Sequence, residues 1–216
     1  MKCGVVLAGL LVATGLTVVC HAQCRMAPTL PEFRNLDFGE GAPGEHPPGW
    51  EPPAGCPQPA DDPVTVEVIS GDICYSGRHC VVARSGPVPV PAGGDEVIRY
   101  ISLLRAPHVD HRGGIFQVVD LKPHRGQRMI LRAAMRAQVP SGSEARLFLR
   151  IHNEDGVTIF FDNMGKFPVR SSAWHIYEIP ASIEREANDV EFGMLLIGRG
   201  EAWIDHISVD FTGPEK

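Results

Sequence analysis

The sequence predicts an all-β protein, a two-sheet antiparallel β-sandwich of the jelly-roll kind. Strand-like runs follow one another at short intervals. Turn clusters separate them, and the 216 residues include 23 Gly and 19 Pro but only 7% aromatic residues. Short strands between frequent turn signals fit a sandwich, whereas a helical fold needs longer uninterrupted segments of helical period. At 44% hydrophobic the chain can fill a packed core, which excludes wholesale disorder. A net charge of −6 argues against nucleic acid or an anionic membrane as partner, since both favour a basic face.

Residues 1–22 read as a secretory signal peptide. Lys2 supplies a positive start, the stretch Gly4 to Val19 is apolar apart from two threonines, and Cys20-His21-Ala22 puts small residues at −3 and −1 of a cut before Gln23. That apolar stretch is shorter than the roughly 20 residues needed to cross a bilayer. The expectation is an exported protein, periplasmic or extracellular, with no membrane span after cleavage.

Four cysteines then remain: Cys24, Cys56, Cys74 and Cys80. An even number in an exported chain suggests two disulfides, with three pairings open. Cys74 and Cys80 flank a Ser-Gly turn signal and would face each other across a hairpin. Cys24 is then left with Cys56. No Cys-x-x-Cys pair suggests zinc.

The segment 23–63 holds a first strand and a Pro/Gly-rich stretch. Gly39 to Pro63 contains eight prolines and five glycines, which excludes a helix or a central strand. Trp50 and Cys56 look like anchors that would make it a wrapping loop. The body, 64–216, begins with the β-branched run Val64 to Ser70. Cys80 to Arg84, Val97 to Leu104, Ile115 to Leu121, Met129 to Ala137 and Ala145 to His152 follow. Thr158 to Asp162, Trp174 to Ile179, Val190 to Ile197 and Ala202 to Phe211 complete the series. Ala181 to Ala187 is the one helical candidate.

Alternation assigns faces. Leu147, Leu149 and Ile151 share one face, and Arg146, Phe148, Arg150 and His152 the other. In the preceding run Met129, Leu131, Ala133 and Met135 alternate with Ile130, Arg132, Ala134 and Arg136. If the two strands are neighbours, Arg132, Arg136, Arg150 and His152 line one sheet surface, with Phe148 exposed among them. Guanidiniums there would offer planar donor forks to hydroxyls or carboxylates, and nearby acids would otherwise balance a solvated face. The three tryptophans, Trp50, Trp174 and Trp203, sit near element ends and read as packing anchors rather than stacking platforms.

A series of short pieces carries a family resemblance. Asn35-Leu36-Asp37-Phe38 and Pro48-Gly49-Trp50 stand near the start. Phe161-Asp162-Asn163-Met164, Trp174-His175-Ile176-Tyr177, Val190-Glu191-Phe192-Gly193-Met194 and Ala202-Trp203-Ile204-Asp205 follow in order. From Asn35 to Phe211 the chain resembles the β-jelly-roll modules of the galactose-binding-like superfold. Carbohydrate-binding modules belong to it, as do non-catalytic domains beside bacterial esterases and regulators. The resemblance implies two antiparallel sheets that hold sugar on a concave face or edge loops. It also implies one structural calcium ion, at positions matching Glu40 and Asp205. Two departures stand out: Gly39 separates Phe38 from Glu40, and His206 replaces the second acid that often follows the last-strand Asp.

Enzyme signals are sparse. No Gly-x-Ser-x-Gly elbow, His-Glu-x-x-His helix or phosphate-binding glycine loop occurs. In a strand His108 and Asp110 would point one way and His111 the other, which leaves the first two without a third convergent ligand for a metal. Asp162, Glu191 and Glu178 are the acids to weigh for glycosidase chemistry, which needs two carboxylates about 5–10 Å apart. The sequence therefore points to a non-catalytic binding module whose partner is carbohydrate or a similar polar ligand. An envelope module that binds another protein is the alternative, and a glycosidase or esterase the weaker one.

Overall fold

The computed structural model describes residues 32–52, 64–85 and 112–213. Among the described residues nine antiparallel strands build two sheets. They are β1 (Thr65–Ser70), β2 (His79–Ser85), β3 (Arg112–Asp120), β4 (Arg128–Gln138), β5 (Glu144–Asn153), β6 (Thr158–Asp162), β7 (His175–Ser182), β8 (Ala187–Ile197) and β9 (Gly200–Thr212). One sheet has the order β1-β2-β9-β4-β7 and the other β3-β8-β5-β6. The signal segment, Cys24, Cys56, the run 97–104 and the His108–His111 group lie outside the described residues.

The strands form where β-branched and aliphatic residues alternate with polar ones, because alternation lets one face of each strand enter a shared core. Met129, Leu131, Ala133, Met135 and Ala137 of β4 meet Leu147, Leu149 and Ile151 of β5 there, together with Val190, Phe192, Met194 and Leu196 of β8. The Pro/Gly-rich stretch, as far as residue 52, packs against this core. Trp50 is buried with ring centroids 5.3 Å from Phe38 and 5.6 Å from Phe192. Asn35 ties the loop: its Oδ1 accepts the Glu40 N–H at 2.9 Å, and its Nδ2 donates to the Glu40 and Pro48 carbonyls at 3.0 and 2.9 Å. The Trp50 Nε1–H donates to the Asn35 carbonyl at 3.1 Å.

The predicted helix 181–187 does not form. Ala181 and Ser182 finish β7, Ile183 is buried with its N–H donated to the Gln127 carbonyl, and Ala187 opens β8. Burial of a β-branched residue in a crossing between the sheets overrides local helical preference here.

A second correction concerns topology. β4 and β5 are consecutive but lie in opposite sheets. Their polar faces therefore point away from each other, and Arg132 and Arg136 do not share a surface with Arg150 and His152. Among the described strands, only β1–β2 and β5–β6 pair with their sequence neighbour. The other consecutive strands among those described lie in opposite sheets, as in a jelly roll.

β9 contains one residue more than β4 across one stretch of their ladder. Arg132 faces Ser208 and Ala134 faces Asp205, so His206 and Ile207 together oppose Ala133. His206 takes a left-handed φ of 50°, and the strand bulges at this point. Gly193 marks a different constraint. A Cβ there would lie 2.0 Å from the Ile115 carbonyl oxygen of β3. Gly193→Ala is expected to loosen the β3–β8 ladder and to lower stability by about 1–3 kcal/mol, read as a lower urea midpoint at constant slope.

Candidate functional site

The outer face of the four-stranded sheet is built in rows across neighbouring strands. Glu191, Arg150 and Phe161 are in register on β8, β5 and β6. The Arg150 Nη1 lies 3.3 Å from Glu191 Oε2, and its guanidinium carbon sits 4.8 Å from the Phe161 ring centre. Phe161 is 47% exposed. The next row pairs Asp189 with His152, whose Nδ1 lies 2.8 Å from Asp189 Oδ1, while Asn188 Nδ2 donates to the other oxygen at 2.8 Å. A third row, Phe116, Gly193 and Phe148, is apolar.

That third row corrects the sequence reading of Phe148. It is only 2% exposed and offers no platform. Alternation places it on the outer face correctly, yet an outer face is not always wet. The bare Gly193 stands between Phe148 and Phe116, which is also buried. Among the described residues the exposed aromatic of this face is Phe161, one strand over, a member of the Phe161-Asp162-Asn163-Met164 motif. Alternation along 158–162 was the signal available, but its place beside Arg150 comes from strand pairing.

The outer face of the five-stranded sheet carries the other two predicted arginines. Arg132 is paired in register with Glu178 of β7, Nε to Oε2 at 3.1 Å, and also contacts Asp210 of β9. Arg136 is different. Its guanidinium carbon lies 4.3 Å from the Trp203 ring centre and 5.3 Å from that of Trp174. Trp203 and the Cys74–Cys80 disulfide, with Val82, form a small second core on this face, against which Trp174 and Ile69 pack. The disulfide crosses the β1–β2 connection with Cα atoms 5.4 Å apart, as the turn signal between the two cysteines suggested. The same connection positions Trp174, whose Nε1–H donates to the Ile73 carbonyl at 3.2 Å.

The two predicted calcium ligands have separate partners. Glu40 accepts from Arg34 Nε at 3.0 Å and Nη2 at 2.6 Å, and this hydrogen bond and charge hold the Arg34 guanidinium above its usual pKa. Asp205 is 1% exposed, and its Oδ2 accepts the Ser76 N–H at 2.8 Å while Oδ1 accepts the His206 N–H at 2.6 Å. A buried carboxylate needs such donors, and these pin the β1–β2 connection to β9. Among the described residues no group of three or more His, Cys, Asp or Glu is placed to hold a metal ion. The acids weighed for catalysis are dispersed as well. Glu178 and Glu191 lie on opposite sheets, and Asp162 alternates out of the row that holds Glu191, its Oδ1 accepting the Met164 N–H at 2.8 Å.

No family model matches this sequence. A stretch of 64 residues is 30% identical to the helix-turn-helix-type transcriptional regulator YbfP of Bacillus subtilis; it makes up 29% of this chain and only 22% of that regulator. The structural likenesses are broader. The xylan-binding CBM22-1 domain of Paenibacillus barcinonensis Xyn10C superposes with a TM-score of 0.50 at 13% identity, over 83% of this chain and 93% of that domain. The C-terminal family 22 carbohydrate-binding module of Clostridium thermocellum Xyn10B gives 0.51 at 12% identity, over 83% and 94%. The enzymatically active domain of tailspike protein 4 from bacteriophage CBA120 gives 0.52 at 12% identity, but this chain spans only 20% of it. The chain thus has the jelly-roll fold found in carbohydrate-binding modules. Among the described residues no helix is long and apolar enough to cross a membrane.

The contrast between the two phenylalanines is directly measurable. Phe148→Ala is expected to cost about 3–5 kcal/mol in chemical unfolding, as for a buried ring, and Phe161→Ala less than about 1 kcal/mol.

Proposed function

We propose that this chain is an exported, non-catalytic carbohydrate-binding module that takes a neutral polysaccharide on the outer face of the four-stranded sheet. The observation that carries the reading is the row Glu191–Arg150–Phe161, an exposed ring beside a paired donor and acceptor. A pyranose presents an apolar C–H face and a rim of hydroxyls. Phe161 suits the first through its ring, and Arg150, Glu191, His152 and Asp189 suit the second through planar hydrogen-bonding groups. Arg150 and His152 each already face a carboxylate in register, so the site presents no unpaired cation to favour an anionic ligand. The fold shared with carbohydrate-binding modules supports the same reading, and the dispersal of the candidate acids supports recognition over hydrolysis. The Cys74–Cys80 disulfide fits an oxidising compartment reached by export.

Affinity electrophoresis of the chain through gels carrying neutral plant or bacterial polysaccharides tests this. At least one polysaccharide is expected to retard it, and Phe161→Ala to weaken that retardation by roughly three- to tenfold without lowering the thermal midpoint appreciably. Equal retardation of the Phe161→Ala variant, or mobility unchanged by every polysaccharide, would overturn the assignment of this face.

A further inference from the structure

We propose that the outer face of the five-stranded sheet holds a second binding site, in which Arg136 receives the carboxylate of an acidic sugar. Among the arginines of this face, Arg84 pairs with Glu67 and Glu201, and Arg132 with Glu178 and Asp210. Arg136 has no ion pair and no hydrogen bond among the described residues. Its Nε is buried without an acceptor, and so is the Nε1 of the adjacent Trp203. A half-buried cation without a counter-ion costs free energy that an incoming anion offsets.

Two features make the site ready for such a ligand. Trp203 and Trp174 both lie against the Arg136 guanidinium, at 4.3 and 5.3 Å from ring centre to guanidinium carbon, so less side-chain freedom is left to lose on binding. Of the three guanidinium nitrogens only Nε is sealed, which leaves the terminal pair as a planar fork matched to a carboxylate.

The rim selects the rest of the ligand. Tyr75 is 46% exposed, and its ring centre lies 6.0 Å from that of Trp174 and 5.7 Å from that of His206. These rings suit the C–H face of a pyranose. The neighbouring rows carry acids, Asp205 opposite Ala134 and Glu178 opposite Arg132, on a chain of net charge −6. That field penalises a dianion more than a monoanion, which favours a uronate over a sugar phosphate. The site lies on the sheet opposite Phe161, so it stands or falls separately from the neutral-sugar face.

The test follows the indole N–H signals of Trp174 and Trp203 by 15N-correlated NMR of the full chain, titrated with glucuronate, glucose, acetate and a short peptide with a free C-terminus. Glucuronate is expected to shift both signals saturably, more tightly than any other probe, and less tightly as salt rises. Arg136→Gln is expected to weaken glucuronate at least about tenfold and Phe161→Ala to leave it unchanged. Tyr75→Ala, at an exposed ring, is expected to weaken glucuronate several-fold in a folded protein and keeps the test open if Arg136→Gln does not fold. Equal shifts with glucose, no shift with glucuronate, equal binding of acetate, or tighter binding of the peptide would each overturn the proposal, the last in favour of a protein partner.

Discussion

One extra residue in β9 decides where the side chains of the five-stranded sheet point. Before the bulge at His206, Ala202 and Ile204 face the core while Trp203 and Asp205 face outward; after it, Ile207 returns to the core. An unbroken alternation would carry Ile207 outward with Trp203 and Asp205. The bulge keeps both apolar sets inside, and it does so with a non-glycine residue at positive φ, a local cost that the surrounding ladder must hold. The gain is an outward pair, Trp203 and Asp205, on either side of one core residue. Trp203 founds the small second core with the disulfide, and Asp205 fastens the β1–β2 connection over it. Arg136, opposite Trp203 in register, acquires its aromatic surroundings from the same event.

Charge on the sheet faces follows a second rule. Arg132 faces Glu178, Arg150 faces Glu191 and His152 faces Asp189, each as a cross-strand partner. Directly opposite charges on adjacent strands contribute modestly, within about 1 kcal/mol each, and these pairs are partly solvated. Their larger effect is on recognition. A paired face is electrically quiet and offers donors and acceptors side by side, whereas an unpaired cation among indoles is selective for charge. The two faces of one sandwich thus differ in kind.

Most strand positions were legible because alternation and turn residues act locally. The run at 158–162 coincides with β6, and the runs at 129–137 and 145–152 fall within β4 and β5. What alternation cannot carry is which strand lies beside which. β4 and β5 looked like neighbours because they are consecutive, yet the chain crosses the core between them, and the predicted cluster of four cations divides into two pairs on opposite surfaces. Phe148 shows the same limit at the level of one residue. Its face was correct and its exposure was not, since exposure is set by what other strands bring alongside, and its register partner Gly193 lies far along the chain. The helical reading of 181–187 failed because Ile183 is needed in the core. Arg136 was singled out for its place on a strand, but its lack of an ion-pair partner among the described residues is a property of pairing alone.

The pairing of Arg150 with Glu191 bears on how a sugar could bind without breaking the sheet. Removing one partner of a buried ion pair leaves a charge that nothing answers, at a cost of several kcal/mol. This pair is held at 3.3 Å with the arginine side chain 38% exposed, so it is neither short nor sealed. A hydroxyl, which both donates and accepts, can enter between the two groups and satisfy each while their mutual attraction persists. Phe161, across the guanidinium from Glu191, keeps that plane in place during the exchange. The register that fixes these three residues is set by the core residues alternating with them, Leu149 and Ile151 on β5, Val190 and Phe192 on β8. Binding geometry on the outer face is therefore fixed from within, by the side chains a ligand never touches.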